Sequence, residues 1–156
     1  MIVDKILKGH ELFATLTVDE VNRLSAFSSV KEFNAGETIY EYNQVSSHFY
    51  MLMEGKVYLM LPANPPDFCL AISKIEKGEL FGISPLLDSP RYTAMAKCYE
   101  PTKVLSIEAK PFRKLLQTNC TAGLNIMNQV AHIYYSRYLD VLKRLHDVVS
   151  HISLIR

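Results

Sequence analysis

Lys77-Gly78-Glu79-Leu80-Phe81-Gly82-Ile83-Ser84-Pro85-Leu86-Leu87 interrupts a long series of short apolar runs, and its reading decides the fold. Gly78 and Gly82 stand where a tight turn or a positive φ is needed, which a residue without Cβ adopts at little steric cost. On either side of this segment the chain from Val30 to Ile107 has the texture of strands. Runs occur at 38–40, 49–53, 56–61, 68–72, 92–99 and 104–107. Turn-forming residues separate them at 34–37, 54–56, 62–67, 77–79 and 99–101. Many short strands at this pitch predict an antiparallel barrel or a double-sheet jelly roll.

Outside the strand region the periodicity turns helical. Thr17 followed by Glu20 has capping-box spacing, and Val21, Leu24 and Phe27 recur at helical intervals, so 4–27 reads as short helices. Pro111 suits the first turn of a short helix carrying Phe112, Leu115 and Leu116. A long helix then spans about 122–152. Along it Ala131, Tyr135, Tyr138, Leu142, Leu145, Val149 and Ile152 step at heptad spacing, and Tyr134, Val141 and Val148 widen the stripe. A helix of ~30 residues is ~45 Å long, more than a barrel of this size covers. Its exposed half calls for a partner, and a homodimer through this helix is the expectation. Strands followed by helices make the class α+β, mainly β.

Composition excludes several functions. The chain has 156 residues, and 17 Lys+Arg against 16 Asp+Glu give a net charge of +1, so nothing attracts a polyanion from a distance. Arg137 and Lys143-Arg144 read as a solvated helix face, and no nucleic acid is expected to bind this chain alone. A helix-turn-helix module would need roughly 70 further residues. No window approaches the ~18 consecutive apolar residues of a membrane helix, and the N-terminus does not read as a signal peptide. Cys69, Cys98 and Cys120 fit no disulfide or zinc pattern and read as buried or half-buried reduced thiols, in keeping with a cytoplasmic protein. There is no nucleophile elbow, phosphate-binding loop or paired-carboxylate motif, so no enzyme is expected.

In this order the elements resemble the cyclic-nucleotide-binding domain superfamily, which includes catabolite-activator-type regulators and the regulatory subunits of protein kinase A. The resemblance is carried by Phe33-Asn34-Ala35-Gly36-Glu37-Thr38-Ile39, Tyr50-Met51-Leu52-Met53-Glu54-Gly55-Lys56-Val57, Lys77 to Gly82 with Leu86-Leu87, Tyr92-Thr93-Ala94-Met95-Ala96, Val104-Leu105-Ser106-Ile107 and Phe112-Arg113-Lys114-Leu115-Leu116. It covers about 12–145 and is closest in kind to the branch without a helix-turn-helix. It implies a single domain over 1–156: N-terminal helices in 1–29, a jelly-roll barrel (β-roll) in 30–108 with a ligand cassette at 78–93, and C-terminal helices in 111–152, the last for dimerisation. Asn43 falls where the family often has Gly, and Asn best tolerates the same conformation.

The resemblance also implies a ligand site at 82–93 for a small anionic ligand, cyclic AMP or cyclic GMP. The backbone of Gly82, Ile83 and Ser84 would hold the anionic part, Arg91, Tyr92 and Thr93 would line the site, and Tyr134 or Tyr138 would cap it. Two positions depart from the pattern. Ile83 stands where nucleotide-binding members have the Glu that receives the ribose hydroxyl, and Tyr92 stands on the position of the phosphate-pairing Arg. Arg91 lies one residue early. Within a strand it would point away from the pocket, and within a loop it could reach in. A hydrogen bond to a charged group contributes about 1.5–3 kcal/mol, so losing both implies much weaker nucleotide binding. Two other readings stand beside this one. Ile83 and Tyr92 could fill the pocket of a ligand-free interaction module, or one of the histidines His10, His48, His132, His146 and His151 could serve a haem-based gas sensor.

Overall fold

The structure, a computed structural model, describes residues 2–63 and 67–151. The apolar run at 49–53 lies in strand β3 (His48–Glu54), and what covers that strand explains why it does not alternate. Phe49 and Met51 belong to a core shared with the helices, whereas Tyr50 and Leu52 belong to a second core between two sheets. A strand covered on both faces has no polar side to present.

Among the described residues, eight strands form two antiparallel four-stranded sheets. The first has the order β1 (Ser28–Phe33), β8 (Thr102–Glu108), β3, β6 (Leu80–Phe81). The second has the order β2 (Thr38–Tyr40), β7 (Met95–Cys98), β4 (Val57–Pro62), β5 (Cys69–Ile75). In the first sheet Phe49 faces Ile107 and Met51 faces Leu105, and in the second Leu59 faces Ala96. The sheets oppose each other as a jelly roll and do not close into a barrel. Asn43 takes a positive φ of 63°, as the resemblance implied.

Three strands differ from the sequence reading: β6, β7 and β1, which lies outside the expected runs and begins at Ser28, within the stretch 1–29 expected to be helical. β6 has only two residues, too few to give a pattern. The expected strand at 92–99 shrinks to Met95–Cys98 because Tyr92 pairs elsewhere. Its N–H donates to the Gln44 carbonyl at 2.9 Å, and its own carbonyl accepts from Asn43 N–H at 3.0 Å.

The helices cover the free face of the first sheet. α1 (Ile2–Gly9) and α2 (Val18–Ala26) contribute Leu7, Val21 and Leu24, and α3 (Ala109–Thr118) contributes Phe112, Leu115 and Leu116. Each fully buried side chain of this size contributes about 1.5–3 kcal/mol. The capping box forms: Glu20 N–H donates to Thr17 Oγ1 while Thr17 N–H donates to Glu20 Oε2 at 2.7 Å. Glu20 Oε2 also accepts from Asn119 Nδ2 at 2.9 Å, and Asn119 Oδ1 caps the last helix, α4 (Cys120–Ser150). One carboxylate thus joins the starts of two helices distant in sequence.

Burial falls off along α4. Ala122, Ile126 and Val130 are buried at one-turn spacing, and beyond them the helix carries a run of exposed apolar residues. Tyr135, Tyr138, Leu142, Leu145 and Val149 of the heptad stripe are all exposed. Ile152 and residues 64–66, within the turn expected at 62–67, lie outside the described residues. Among the described residues no helix is long and apolar enough to cross a membrane. Cys98 is buried, but Cys69 and Cys120 are exposed, because β5 is an edge strand and Cys120 sits on the outer side of the first turn of α4.

Candidate functional site

Gly82 opens the cassette with a φ of 62°. A Cβ there would lie 2.9 Å from Tyr40 Cε1 and 3.0 Å from Tyr50 Cδ2, so only glycine lets β6 leave the sheet across these rings. A 3-10 turn over Ser84–Leu87 follows and ends on Asp88 in left-handed conformation. Pro85 has no N–H, and Leu86 N–H is used on the Ile83 carbonyl at 3.0 Å. Neither Pro85 nor Leu86 therefore supplies a backbone donor to an anion at the start of this turn. Arg113 of α3 grips both carboxylate oxygens of Asp88, fixing the far end of the turn, and this holds the Asp88 carboxyl below its usual range.

Beneath the cassette lies a stack of rings. Tyr40 and Tyr92 stack at 3.9 Å with 19° between their planes, and Tyr50 and Phe81 continue the stack. The Tyr92 hydroxyl donates to the His48 carbonyl at 2.6 Å and accepts from His48 N–H. Burial pushes the phenols of Tyr40, Tyr50 and Tyr92 up, so all three are neutral at physiological pH.

A cavity of about 270 Å³ lies between this stack, the cassette and α4. Tyr40, Tyr92, Leu59 and Ile72 form its apolar floor, and Gly82, Ile83, Ser84 and Thr93 form one rim. Tyr134, Arg137, Tyr138 and Val141 of α4 form the other. The structure therefore brings together every predicted site residue except Arg91. Arg91 is exposed, pairs with Val45 in an isolated bridge, and donates from Nη1 to the Asn43 carbonyl at 2.7 Å. The bridge holds it beside the 43–45 turn, outside the cavity. Ile83 is 2% exposed and packs in the helix-side core, so no carboxylate stands at that point of the rim. Among the described residues no histidine lines this cavity.

Arg137 is the residue that sequence reasoning missed. It was read as part of a solvated face, yet it is half-buried and donates from Nη2 to the Leu80 carbonyl at 2.8 Å. Burial lowers its pKa, opposed by the neighbouring Tyr40, Glu79 and Tyr134. Arg144 likewise donates to the Ala71 carbonyl. The available signal was the company Arg137 keeps, since Tyr134 and Val141 lie at −3 and +4 from it and so share its helix face. A larger open groove of about 670 Å³ runs between 46–48, 88–90 and α3, but the charges of Asp88 and Arg113 on its walls already satisfy each other.

Fold and site define a jelly roll whose pocket lies under a cassette and a long C-terminal helix. The family model described as the cyclic nucleotide-binding domain matches residues 30–119, and the chain belongs to that family. Solved structures agree. A candidate cyclic nucleotide-binding protein from Geobacter metallireducens is 27% identical, with 88% of this chain and 99% of that chain covered and a TM-score of 0.74. The sensor domain of the transcriptional regulator DNR from Pseudomonas aeruginosa is 20% identical over 99% of this chain and 94% of that chain, with a TM-score of 0.71. The catabolite activator protein of Thermus thermophilus is 22% identical over 89% of this chain and 62% of that chain, with a TM-score of 0.67. The last two likenesses are of fold alone. No curated protein matches the sequence.

Proposed function

We propose that the chain is a non-enzymatic regulatory module that senses a small anionic ligand in the cavity between the cassette and α4. One observation carries this reading: Tyr134, Arg137 and Tyr138 of α4 line the same cavity as Gly82, Ile83 and Ser84 of the cassette. A ligand there touches both elements, and it shifts the position of α4 by as much as its affinity differs between helix positions. The exposed apolar stripe from Tyr135 to Val149 then serves a homodimer, which carries the change of helix position to a second copy.

The chemistry of the rim makes cyclic AMP and cyclic GMP poor ligands. Ile83 offers a ribose hydroxyl no acceptor, and Arg91 is engaged outside the cavity. Calorimetry with either nucleotide at millimolar concentration tests this: weak or absent heat is expected, and micromolar binding overturns it. The sensing reading itself is tested by hydrogen exchange across 134–145, which must change whenever a compound occupies the cavity.

A ligand-free module is the second reading, favoured by the burial of Ile83 and Tyr92. Against it stands the cavity that remains open above Tyr92 with a cation on its rim.

A further inference from the structure

We propose that this cavity takes a small planar aromatic carboxylate of one or two rings, held by Arg137 through its guanidinium. The inference rests on the sensing reading above and names the ligand class for the same site. Arg137 is a half-buried cation, and among the described residues no carboxylate pairs with it. Glu79, the acidic residue that acts on it electrostatically, accepts from Glu76 N–H. Of the five N–H groups of the guanidinium, the bond to the Leu80 carbonyl takes one. A parallel pair of donors remains, the geometry that a carboxylate accepts at two oxygens.

The other walls select the rest of the ligand. Tyr40 and Tyr92 give an aromatic floor, and Tyr134 and Tyr138 stand at the rim. Aromatic faces and edges pack best on another planar ring. Leu59, Ile72 and Ile83 offer no partner to a sugar hydroxyl that lies against them. One cation suits one negative charge. The volume of about 270 Å³ compares with ~150 Å³ for an apolar cavity that binds benzene, so one or two rings fit with their carboxylate.

The full chain is titrated by calorimetry with benzoate, 1-naphthoate, the corresponding neutral amides, cyclic AMP and cyclic GMP. We expect 1-naphthoate to bind at least about tenfold more tightly than 1-naphthamide and than either nucleotide, since a charge-assisted bidentate pair is lost in the amide. Arg137→Gln abolishes the preference for acid over amide, and Arg137→Lys, which keeps the charge without the fork, retains part of it. The acid–amide comparison needs no variant, so a folding defect in either leaves the test intact. Equal binding of acid and amide, or no binding of either carboxylate, overturns the proposal. Tighter binding of a cyclic nucleotide overturns the ligand class and leaves the sensing reading standing. Arg137-dependent binding of 1-naphthoate with unchanged exchange at 134–145 overturns the sensing reading and leaves the ligand class standing.

Discussion

Arg137 on α4 donates to the carbonyl of Leu80 on β6 at 2.8 Å, joining the last helix to the strand from which the cassette departs. Seven residues on, Arg144 does the same with Ala71 of β5. β6 and β5 are edge strands of the two sheets, so the helix is fastened at one open edge of each. A hydrogen bond from a charged donor contributes about 1.5–3 kcal/mol when sheltered, and less where water competes. Ties of this size hold the helix in place, and a ligand held by the remaining donors of Arg137 bears on the same side chain.

Gly82→Ala is expected to destabilise the protein by roughly 1–3 kcal/mol, because a left-handed residue then carries a Cβ into two rings. Urea denaturation measures the loss. A change below about 0.5 kcal/mol, the range of neutral surface substitutions, contradicts the enforced turn.

Tyr92→Phe keeps the ring stacked on Tyr40 but removes the hydroxyl that bonds the His48 carbonyl and N–H. The expected cost is about 1–3 kcal/mol, read by the same denaturation, with the cavity largely unchanged. A larger loss accompanied by a collapsed cavity would mean that the hydroxyl positions the whole cassette.

Two carboxylates make stability fall in acid. Hydrogen bonds from Thr17 hold Glu20 below its ordinary value of 4.5, and Arg113 holds Asp88 below 3.8. A depressed folded-state pKa stabilises the fold above the unfolded value and ceases to do so as pH falls through the folded one. Stability should therefore drop as pH falls from about 5 through the depressed folded-state values. Glu20→Gln should flatten part of that slope, in thermal melts recorded across the range. An unchanged slope in this variant contradicts the assignment.

The stripe on α4 predicts self-association. Light scattering after gel filtration should give twice the chain mass of 17.8 kDa, and Leu142→Glu with Leu145→Glu should return a single copy. Both side chains are exposed in one copy, so the doubly substituted chain should keep its fold, checked by circular dichroism. A wild-type monomer at tens of micromolar rules out the dimer proposed here.

Local signals were legible in the sequence and remote ones were not. The Thr17–Glu20 box follows from a few adjacent residues and the positive φ of Asn43 from the resemblance to the family, and both are present. The uninterrupted run at 49–53 was read as a strand, and the two cores it separates show why it does not alternate. β6 escaped notice because two residues have no periodicity. The strand expected from Tyr92 was shortened by bonds to Asn43 and Gln44, nearly fifty positions away. For the site, seven of the eight named residues line one cavity, yet its one cation was taken for a solvated charge. Nothing near Arg137 in the chain reveals the carbonyl of Leu80, which only the folded helix brings within reach.

The account stands on the cavity coupling cassette to helix. Hydrogen exchange followed by mass spectrometry, at saturation with whichever compound of the titration series binds most tightly, tests it most directly. Protection at 82–93 and at 134–145 should change together, and Arg137→Gln should uncouple them. Protection confined to 82–93, with 134–145 unchanged at full occupancy, would contradict it.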